Sequence, residues 1–255
     1  MSSSSAGDTG RDELPPLSYD VVTSDDDRRR ALCLVTDSIA QQRQVASLAV
    51  IFHPVCVVAL AVACSFAWRH NARDYGTVLT AVSGLTIAYL AAVRLFTSRY
   101  VTLAEEFRWR DFIAAPDGRE DLVVAARFGQ ELIGTLVLRL QEPDGQQRRQ
   151  QQPKTTGTKP RQQALAGGRG VVRAWTTRLR YRNKGIGADL LRFAVATTWS
   201  ACGDGADVAF DPDHANSALP LNHMFNRPFR SRDARAAKAL AHALRDCQSG
   251  EGGFK

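Results

Sequence analysis

Two long uncharged segments constrain the fold of this chain more than any other feature. Residues 45–68 and 77–93 contain no Asp, Glu, Lys or Arg, and only residues 69–76 separate them. About 20 apolar residues span a bilayer, with a range of about 17–25. Both segments are apolar on all sides, which favours lipid over the alternative, a pair of helices buried in a soluble core. We therefore predict a transmembrane helical hairpin over residues 45–93.

The arginines around this hairpin indicate its orientation. The connecting turn holds only Arg69 and Arg73, whereas the outer flanks hold Arg28, Arg29, Arg30, Arg43, Arg94, Arg99, Arg108 and Arg110. Because Lys- and Arg-rich flanks stay in the cytosol, both flanks and all that follows are predicted to face it. The second segment is short, so a re-entrant or in-plane hairpin with the same sidedness remains an alternative. His53 has no acidic partner in either segment, which favours a structural role over an intramembrane functional one.

Outside the hairpin, strand and helix patterns alternate. We predict an α/β (α+β) fold in which one mixed sheet is flanked by helices. Its first strand and helix occupy residues 17–44, and the rest of the domain residues 94–230. The predicted strands cover residues 17–22, 121–128, 131–140, 170–179 and 207–210, and the predicted helices cover 24–44, 101–113, 185–201, 216–225 and 232–246.

Three segments fall outside this domain. Residues 1–16 are small and polar and are predicted to be disordered, and residues 231–255 form a C-terminal helix and tail. Residues 141–170 are rich in Gln, Gly, Pro and Arg and are predicted to be a disordered basic insertion, with a polybasic tether to anionic lipid as the alternative.

Charge and cysteine usage exclude several classes of protein. The chain has 33 Lys and Arg against 26 Asp and Glu, a net charge of +7, and the excess lies entirely after residue 140. This distribution favours a local anionic ligand over a nucleic acid, so no nucleic-acid partner is expected. The five Cys form no CxxC and no ligand spacing with the five His. We predict neither a disulfide framework nor a metal site, in a reducing compartment.

The most informative segment lies between a strand and a helix, at Arg182-Asn183-Lys184-Gly185-Ile186-Gly187. Glycines let backbone N–H groups approach an anion, and the positive end of the following helix points to the same place. Arg182 and Lys184 add positive charge, which predicts a phosphate or pyrophosphate site. The loop fits neither a Walker motif nor a dinucleotide fingerprint. An ordinary strand-to-helix turn is the alternative.

In this context, Arg-x-x-Gly-x-Gly resembles the pyrophosphate loop of the GNAT family of acyl-CoA-dependent N-acyltransferases. Asp207 to Asp211 resembles the fifth strand of that family, and Asn216 resembles an Asn that contacts the pantetheine arm. Phe229 resembles the aromatic residue that closes the next helix. The resemblance covers residues 17–44 and 101–230 without the insertion. The inserted hairpin is similar to a membrane-anchored subgroup at the endoplasmic reticulum, which acts on cysteine conjugates and on lysines.

The resemblance implies acyl-CoA, such as acetyl-CoA, as the co-substrate and an amine as the acceptor. A backbone N–H near Thr177 would polarise the acyl carbonyl, and a neutral amine would attack it directly. The pantetheine amides would pair with the backbone of Thr177, Arg178 and Leu179, and the pyrophosphate would bind the amides of Asn183, Lys184, Gly185, Ile186, Gly187 and Ala188.

The candidate acid–base residues depart from the family's pattern. The fourth strand has no carboxylate or His, and no Tyr lies near His223, where the family carries its acid. The substitutes are His214, His223 and Tyr181, with surface or capping roles as the alternative for the two His. Asp211 and Asp213 resemble turn residues more than an acid–base pair. Glu105 and Glu106 resemble exposed helix acids more than an acceptor cleft.

These features predict a membrane-anchored, cytosol-facing N-acetyltransferase whose acceptor is a small-molecule amine, a protein lysine or an N-terminus. The first alternative is a catalytically inactive GNAT-like scaffold that binds CoA at the membrane. A second is a two-span membrane protein whose remaining part only binds anionic lipid or nucleotide.

Overall fold

One five-stranded sheet forms the centre of the fold. The computed structural model describes residues 15–115, 118–143 and 165–250, and its strands lie in the order β1-β2-β3-β4-β5. The first four are antiparallel neighbours, and β5 pairs with β4 in parallel, so the chain has a mixed α/β fold. The strands are β1 (Leu17–Val21), β2 (Leu122–Phe128), β3 (Glu131–Gln141), β4 (Arg169–Thr177) and β5 (Val208–Phe210).

Helices cover both faces of this sheet. Successive residues of β2 point to opposite faces. Val123 and Ala125 join the core under helix α1 (Asp25–Ile51), and Val124 and Ala126 join the core under helix α6 (Ile186–Cys202). Helix α7 packs on α6. The helices are α1 (Asp25–Ile51), α2 (Pro54–His70), α3 (Tyr75–Phe96), α4 (Arg99–Glu105), α5 (Trp109–Ile113), α6 (Ile186–Cys202) and α7 (Arg227–Gln248).

Helix α1 runs further than predicted. It continues into the first apolar segment and ends at Ile51, and α2 begins at Pro54 after a bend of 55°. The prediction that the first helix ends near Gln44 is therefore wrong. The break falls at Pro54 because its ring excludes a helical residue before it, and His53 is extended there (φ −68°, ψ 130°). The Tyr89 hydroxyl donates to the freed carbonyl of Ile51 at 3.0 Å.

The end of α1 from Val45 onward, α2 and α3, together called the apolar helices, are mostly exposed. In the described part of the chain, fifteen of the nineteen exposed large apolar side chains lie between Val45 and Phe96, and α2 has no buried residue. The continuous helical stretch Tyr75–Glu105 is long and apolar enough to cross a membrane. The pair α1–α2, if the two bent helices are taken together as one span, is also long and apolar enough.

Two predicted helices differ from the structure. Residues 101–113 form α4 and α5 rather than one helix, and Phe107 and Trp109 around the break pack against the core under α1. Residues 216–225 contain only a 3₁₀ turn, His223–Phe225. Pro220 explains the second difference, because it removes a backbone donor and disfavours a helical residue before it.

Some predicted boundaries also move. Residues 144–164 of the predicted insertion and residues 1–14 of the N-terminal segment lie outside the described residues. The ends of the insertion are ordered, because β3 includes Gln141, β4 begins at Arg169 and Leu165 is buried. Phe229 lies in the first turn of α7 and does not close a preceding helix. Helix α7 contains the predicted C-terminal helix and extends it at both ends.

A buried ionic network joins the sheet to α5. The Asp121 carboxylate, with a side chain only 1% exposed, accepts from Arg139 at 2.6 and 3.0 Å and from Arg173 at 2.9 Å. Arg173 also donates to Asp211 at 3.1 Å, and its guanidinium lies 4.3 Å from the Phe112 ring centre. Asp121, which directly precedes β2, thereby joins β3 to β4, and Arg173 extends the network to Asp211 after β5.

Tyr19 is expected to make the folded state less stable at alkaline pH. Burial, reinforced by the hydrogen bond that its hydroxyl donates to Asp189 at 2.7 Å, raises the pKa of Tyr19 above its ordinary value. In the unfolded chain the hydroxyl ionises near pH 10. The stabilisation is therefore complete below pH 10 and is lost as pH rises above it.

We expect the free energy of unfolding to fall by about 1 kcal/mol more in the wild type than in Tyr19→Phe between about pH 9 and pH 11. Denaturant titrations at several pH values measure this difference. Parallel pH profiles of the two proteins would contradict it.

Candidate functional site

The edge of β4 that faces β5 is unpaired over its second half. Strand β5 pairs with β4 only at residues 170–172, and the Ala215 N–H donates to Arg173 O at 2.9 Å. Beyond Arg173, no backbone group of the described residues pairs with this edge. Because the Arg178 N–H donates to Ile133 O in β3, alternation directs the backbone groups of Trp175 and Thr177 to the open side. An extended chain could add to β4 there.

The open edge leads into a loop of free amides. Asn183 (φ 61°) and Gly185 (φ 89°) are left-handed, and Gly185 caps the start of α6. Within the described residues, the N–H groups of residues 183–187 donate to no acceptor. Successive amides of this kind at a helix N-terminus form a concave anion site. The structure thus brings together residues 183–187 of the predicted loop, whereas the Ala188 N–H, also predicted to bind the pyrophosphate, donates to Gly185 O at 2.8 Å.

Close packing holds this loop against β4. The Trp175 indole N–H donates to Gly187 O at 3.0 Å. A Cβ on Gly187 would lie 2.9 Å from Cζ2 of the same indole, so glycine is required for this approach. The loop and the open edge therefore form one continuous surface.

The two basic residues of the loop have different partners. Arg182 is exposed but is held by two hydrogen bonds, which it donates to Thr177 O at 3.2 Å and to Gln41 Oε1 of α1 at 2.9 Å. Partial burial lowers the pKa of Arg182, but a guanidinium keeps its charge at neutral pH. Lys184 is exposed, and its Nζ lies 5.5 Å from the Tyr181 ring centre. Lys184 is the cation better placed to meet a ligand.

No known protein family, curated protein or solved structure matches this chain.

Tyr181 faces away from the open edge. Its hydroxyl donates to Glu131 Oε2 at 2.9 Å, and Arg178 pairs with the same carboxylate at 2.5 Å. The hydrogen bond to Glu131 is the main cause that raises the pKa of Tyr181. The Tyr181 hydroxyl proton is thus already donated to Glu131, at the β2–β3 turn. The Arg178 N–H likewise donates to β3, and Thr177 O already accepts from Arg182, so pairing with a pantetheine is open at Trp175 and at the Thr177 N–H and closed at Arg178.

His214 and His223 occupy different places. His214 follows β5, with its Nδ1 3.1 Å from Asp211 O. His223 is exposed in the 3₁₀ turn before α7. Within the described residues, His214, His223 and Tyr181 make no contact with one another. Asp211 pairs with Arg173 and accepts from the Asp213 N–H at 2.9 Å, which is a turn contact. Glu105 and Glu106 are exposed at the end of α4.

Helix α1 supplies contacts that sequence reasoning missed. Asn216, predicted to bind the pantetheine arm, accepts from Gln42 Nε2 at 2.7 Å and donates to Ser38 Oγ at 3.1 Å. Gln42 Oε1 is buried without a hydrogen-bond partner among the described residues. Ser38, Gln41 and Gln42 therefore form a polar wall from Asn216 to Arg182. No signal in the sequence marks them, since they read as ordinary polar residues of an amphipathic helix.

No metal centre is formed within the described residues, where no three His, Cys, Asp or Glu side chains converge. The five Cys are all free.

Proposed function

We propose that this chain is a membrane-anchored N-acyltransferase that transfers an acetyl or other acyl group from acyl-CoA to an amine. One observation carries the proposal: the unpaired edge of β4 runs directly into the free amides of residues 183–187. An acyl-CoA has matching chemistry, with two amides in its pantetheine arm and a pyrophosphate beyond them. The resemblance of Arg182 to Gly187 to the GNAT loop supports the same ligand.

The mechanism follows from this alignment. The pantetheine amides add to the edge at Trp175 and Thr177 as a strand would. The pyrophosphate accepts from the loop amides, with Lys184 beside it. A backbone N–H of the β4 edge polarises the acyl carbonyl and stabilises the oxyanion that forms. The amine nitrogen attacks the carbonyl carbon, the C–N bond forms, the C–S bond breaks, and the amine proton passes to the departing thiolate.

His214 is the candidate residue for moving that proton. It lies just beyond β5, on the side of the open edge, and its second ring nitrogen has no hydrogen-bond partner among the described residues. Tyr181 is less suited, because its hydroxyl already donates to Glu131.

Calorimetric titration of CoA into the full chain in nanodiscs tests the binding step. We expect binding, and we expect Lys184→Glu to weaken it by about tenfold or more, because a carboxylate would then face the pyrophosphate. Lys238→Glu makes the same charge change on an exposed position of α7 and should bind CoA as the wild type does. No CoA binding by the wild type, or equal affinity in Lys184→Glu, would overturn the proposal.

A second candidate function is a CoA-binding scaffold without catalysis. It is favoured by the separation of His214, His223 and Tyr181, and by the lack of a carboxylate or His on β4. Thiol release from acetyl-CoA with a panel of amines distinguishes the two. Release that falls in His214→Gln supports the enzyme, whereas CoA binding without release supports the scaffold.

The membrane anchor of this proposal is the hairpin of α2 and α3, with the end of α1 entering the bilayer. Its support is the exposure of apolar side chains on these helices. The excess of arginines outside the hairpin supports a cytosolic domain. The endoplasmic reticulum is the membrane that the resemblance suggests.

Protease protection in microsomes tests this orientation. We expect protease added outside sealed vesicles to digest the domain and to leave a fragment containing residues 54–96. A fully protected domain would contradict the cytosolic orientation, and release of the chain by alkaline carbonate would contradict the anchor. Detergent-opened vesicles are the control for protease access.

A further inference from the structure

The segment from His223 to Arg230 lies against the ends of the apolar helices. The Phe225 ring packs edge-on against His53, with centres 4.9 Å apart, and against Phe96 at 6.2 Å. One turn further on, Phe229 stacks on Tyr100 at 5.9 Å. His53 marks the break between α1 and α2, and Phe96 ends α3. The segment is therefore held at the level where the exposed apolar surface begins.

Met224 extends that apolar surface. Its side chain is 42% exposed, although its neighbour Phe225 is buried. Among the described residues, only Leu17, Val21, Leu179 and Met224 are exposed large apolar side chains outside residues 45–96. Of these four residues, only Met224 is next to a residue, Phe225, whose ring packs against the apolar helices. An apolar side chain in that position is stabilised by lipid rather than by water.

Arginines without carboxylate partners border this surface. Arg227 and Arg230 are exposed in the first turn of α7 and form no ion pair within the described residues. The same holds for Arg94 and Arg99, which flank Phe96 and Tyr100 in sequence. By contrast, Arg232 on α7 pairs with Asp233 at 2.8 Å. Unpaired guanidiniums beside an exposed apolar surface suit the phosphates of anionic lipid headgroups.

We infer that residues 223–230 form a third membrane contact, in which Met224 enters the bilayer interface and Arg227 and Arg230 bind anionic phospholipid headgroups. This inference rests on the membrane anchor of the proposed function and adds a lipid specificity to it. The contact fixes the orientation of the domain on its anchor, because α7 also packs along α6, whose N-terminus carries the anion loop.

Hydrogen exchange of the full chain in nanodiscs tests the contact. We expect the amides of residues 222–230, apart from Pro228, to exchange about tenfold more slowly in discs with about 30 mol% phosphatidylserine than in pure phosphatidylcholine. The double variant Arg227→Glu/Arg230→Glu should lose this difference. Arg235→Glu/Lys238→Glu carries the same charge change one to three turns along α7 and should keep it. Exchange of the α6 amides reports whether each variant is folded.

Each outcome separates this inference from the proposed function. Equal exchange in the two lipids, or a lipid effect unchanged by Arg227→Glu/Arg230→Glu, overturns the third contact while the anchor stands. Loss of the effect in both double variants overturns the assignment to Arg227 and Arg230. A wild-type chain that does not stay in either disc overturns the anchor and the contact together.

Discussion

Replacing Asp121 with alanine is expected to lower the free energy of unfolding by about 3–5 kcal/mol. Its side chain is 1% exposed and is shared by Arg139 and Arg173, whose side chains are only 15% and 13% exposed. Removing the carboxylate leaves two partly buried guanidiniums without their main counter-charge. The loss should exceed that of a simple cavity of the same size. Denaturant unfolding of the full chain in detergent, followed by near-ultraviolet circular dichroism, measures it.

Glu120→Ala is the matched control for this change. Glu120 is the preceding residue and also pairs with an arginine, Arg28, at 2.7 Å, but its side chain is 57% exposed. An exposed pair contributes at most about 1 kcal/mol, so the control should lose little stability. Similar losses in the two variants would show that burial of the network is not what stabilises the fold.

Replacing Gly187 with alanine is expected to cost about 1–3 kcal/mol and to weaken CoA binding by about tenfold. The new methyl group would lie 2.9 Å from the Trp175 indole, so either the ring or the loop must move. Either movement breaks the alignment of the β4 edge with the amides of residues 183–187. Denaturant unfolding and calorimetric titration of CoA measure the two effects.

A double-mutant cycle assigns the cost to this contact. In Trp175→Phe the indole atom that the methyl group would meet is gone, so Gly187→Ala should cost about 1 kcal/mol less in that background. Gly84→Ala, in α3, introduces a methyl group with no atom within 4 Å and should lose no stability. Additive losses in the cycle would place the cause outside the Trp175 contact.

The positions of the strands and of the loop at residues 182–187 were predictable because their signals are local. The apolar runs on either side of Gly129 and Gln130 predicted β2 and β3, and the glycines at 185 and 187 mark the loop within a few neighbouring residues. The extent of α1 was mispredicted for a different reason. The lack of charge from Val45 onward indicates a change of surroundings, whereas the helix ends only where Pro54 requires it.

The surroundings of the site could not be read from the sequence. Gln41 meets Arg182, and Gln42 meets Asn216, across 141 and 174 residues of chain. Tyr181 was a reasonable candidate acid from its position beside the loop, but its orientation depends on Glu131, which belongs to a different strand. Contacts of this kind are set by tertiary packing, which leaves no periodic pattern in the residues that form it.

The division of one core between two distant parts of the chain has a consequence for biosynthesis. Leu32, Val35 and Ile39 of α1 are buried against Val123 and Ala125 of β2, which leave the ribosome about 90 residues later. At a synthesis rate of about 5–20 residues per second, the apolar face of α1 stays uncovered for on the order of ten seconds before its partner strands are made. The apolar helices emerge within that interval. In the proposed membrane-anchored chain, their insertion therefore precedes closure of the core, and a nascent chain stalled before β2 should need a chaperone to stay soluble.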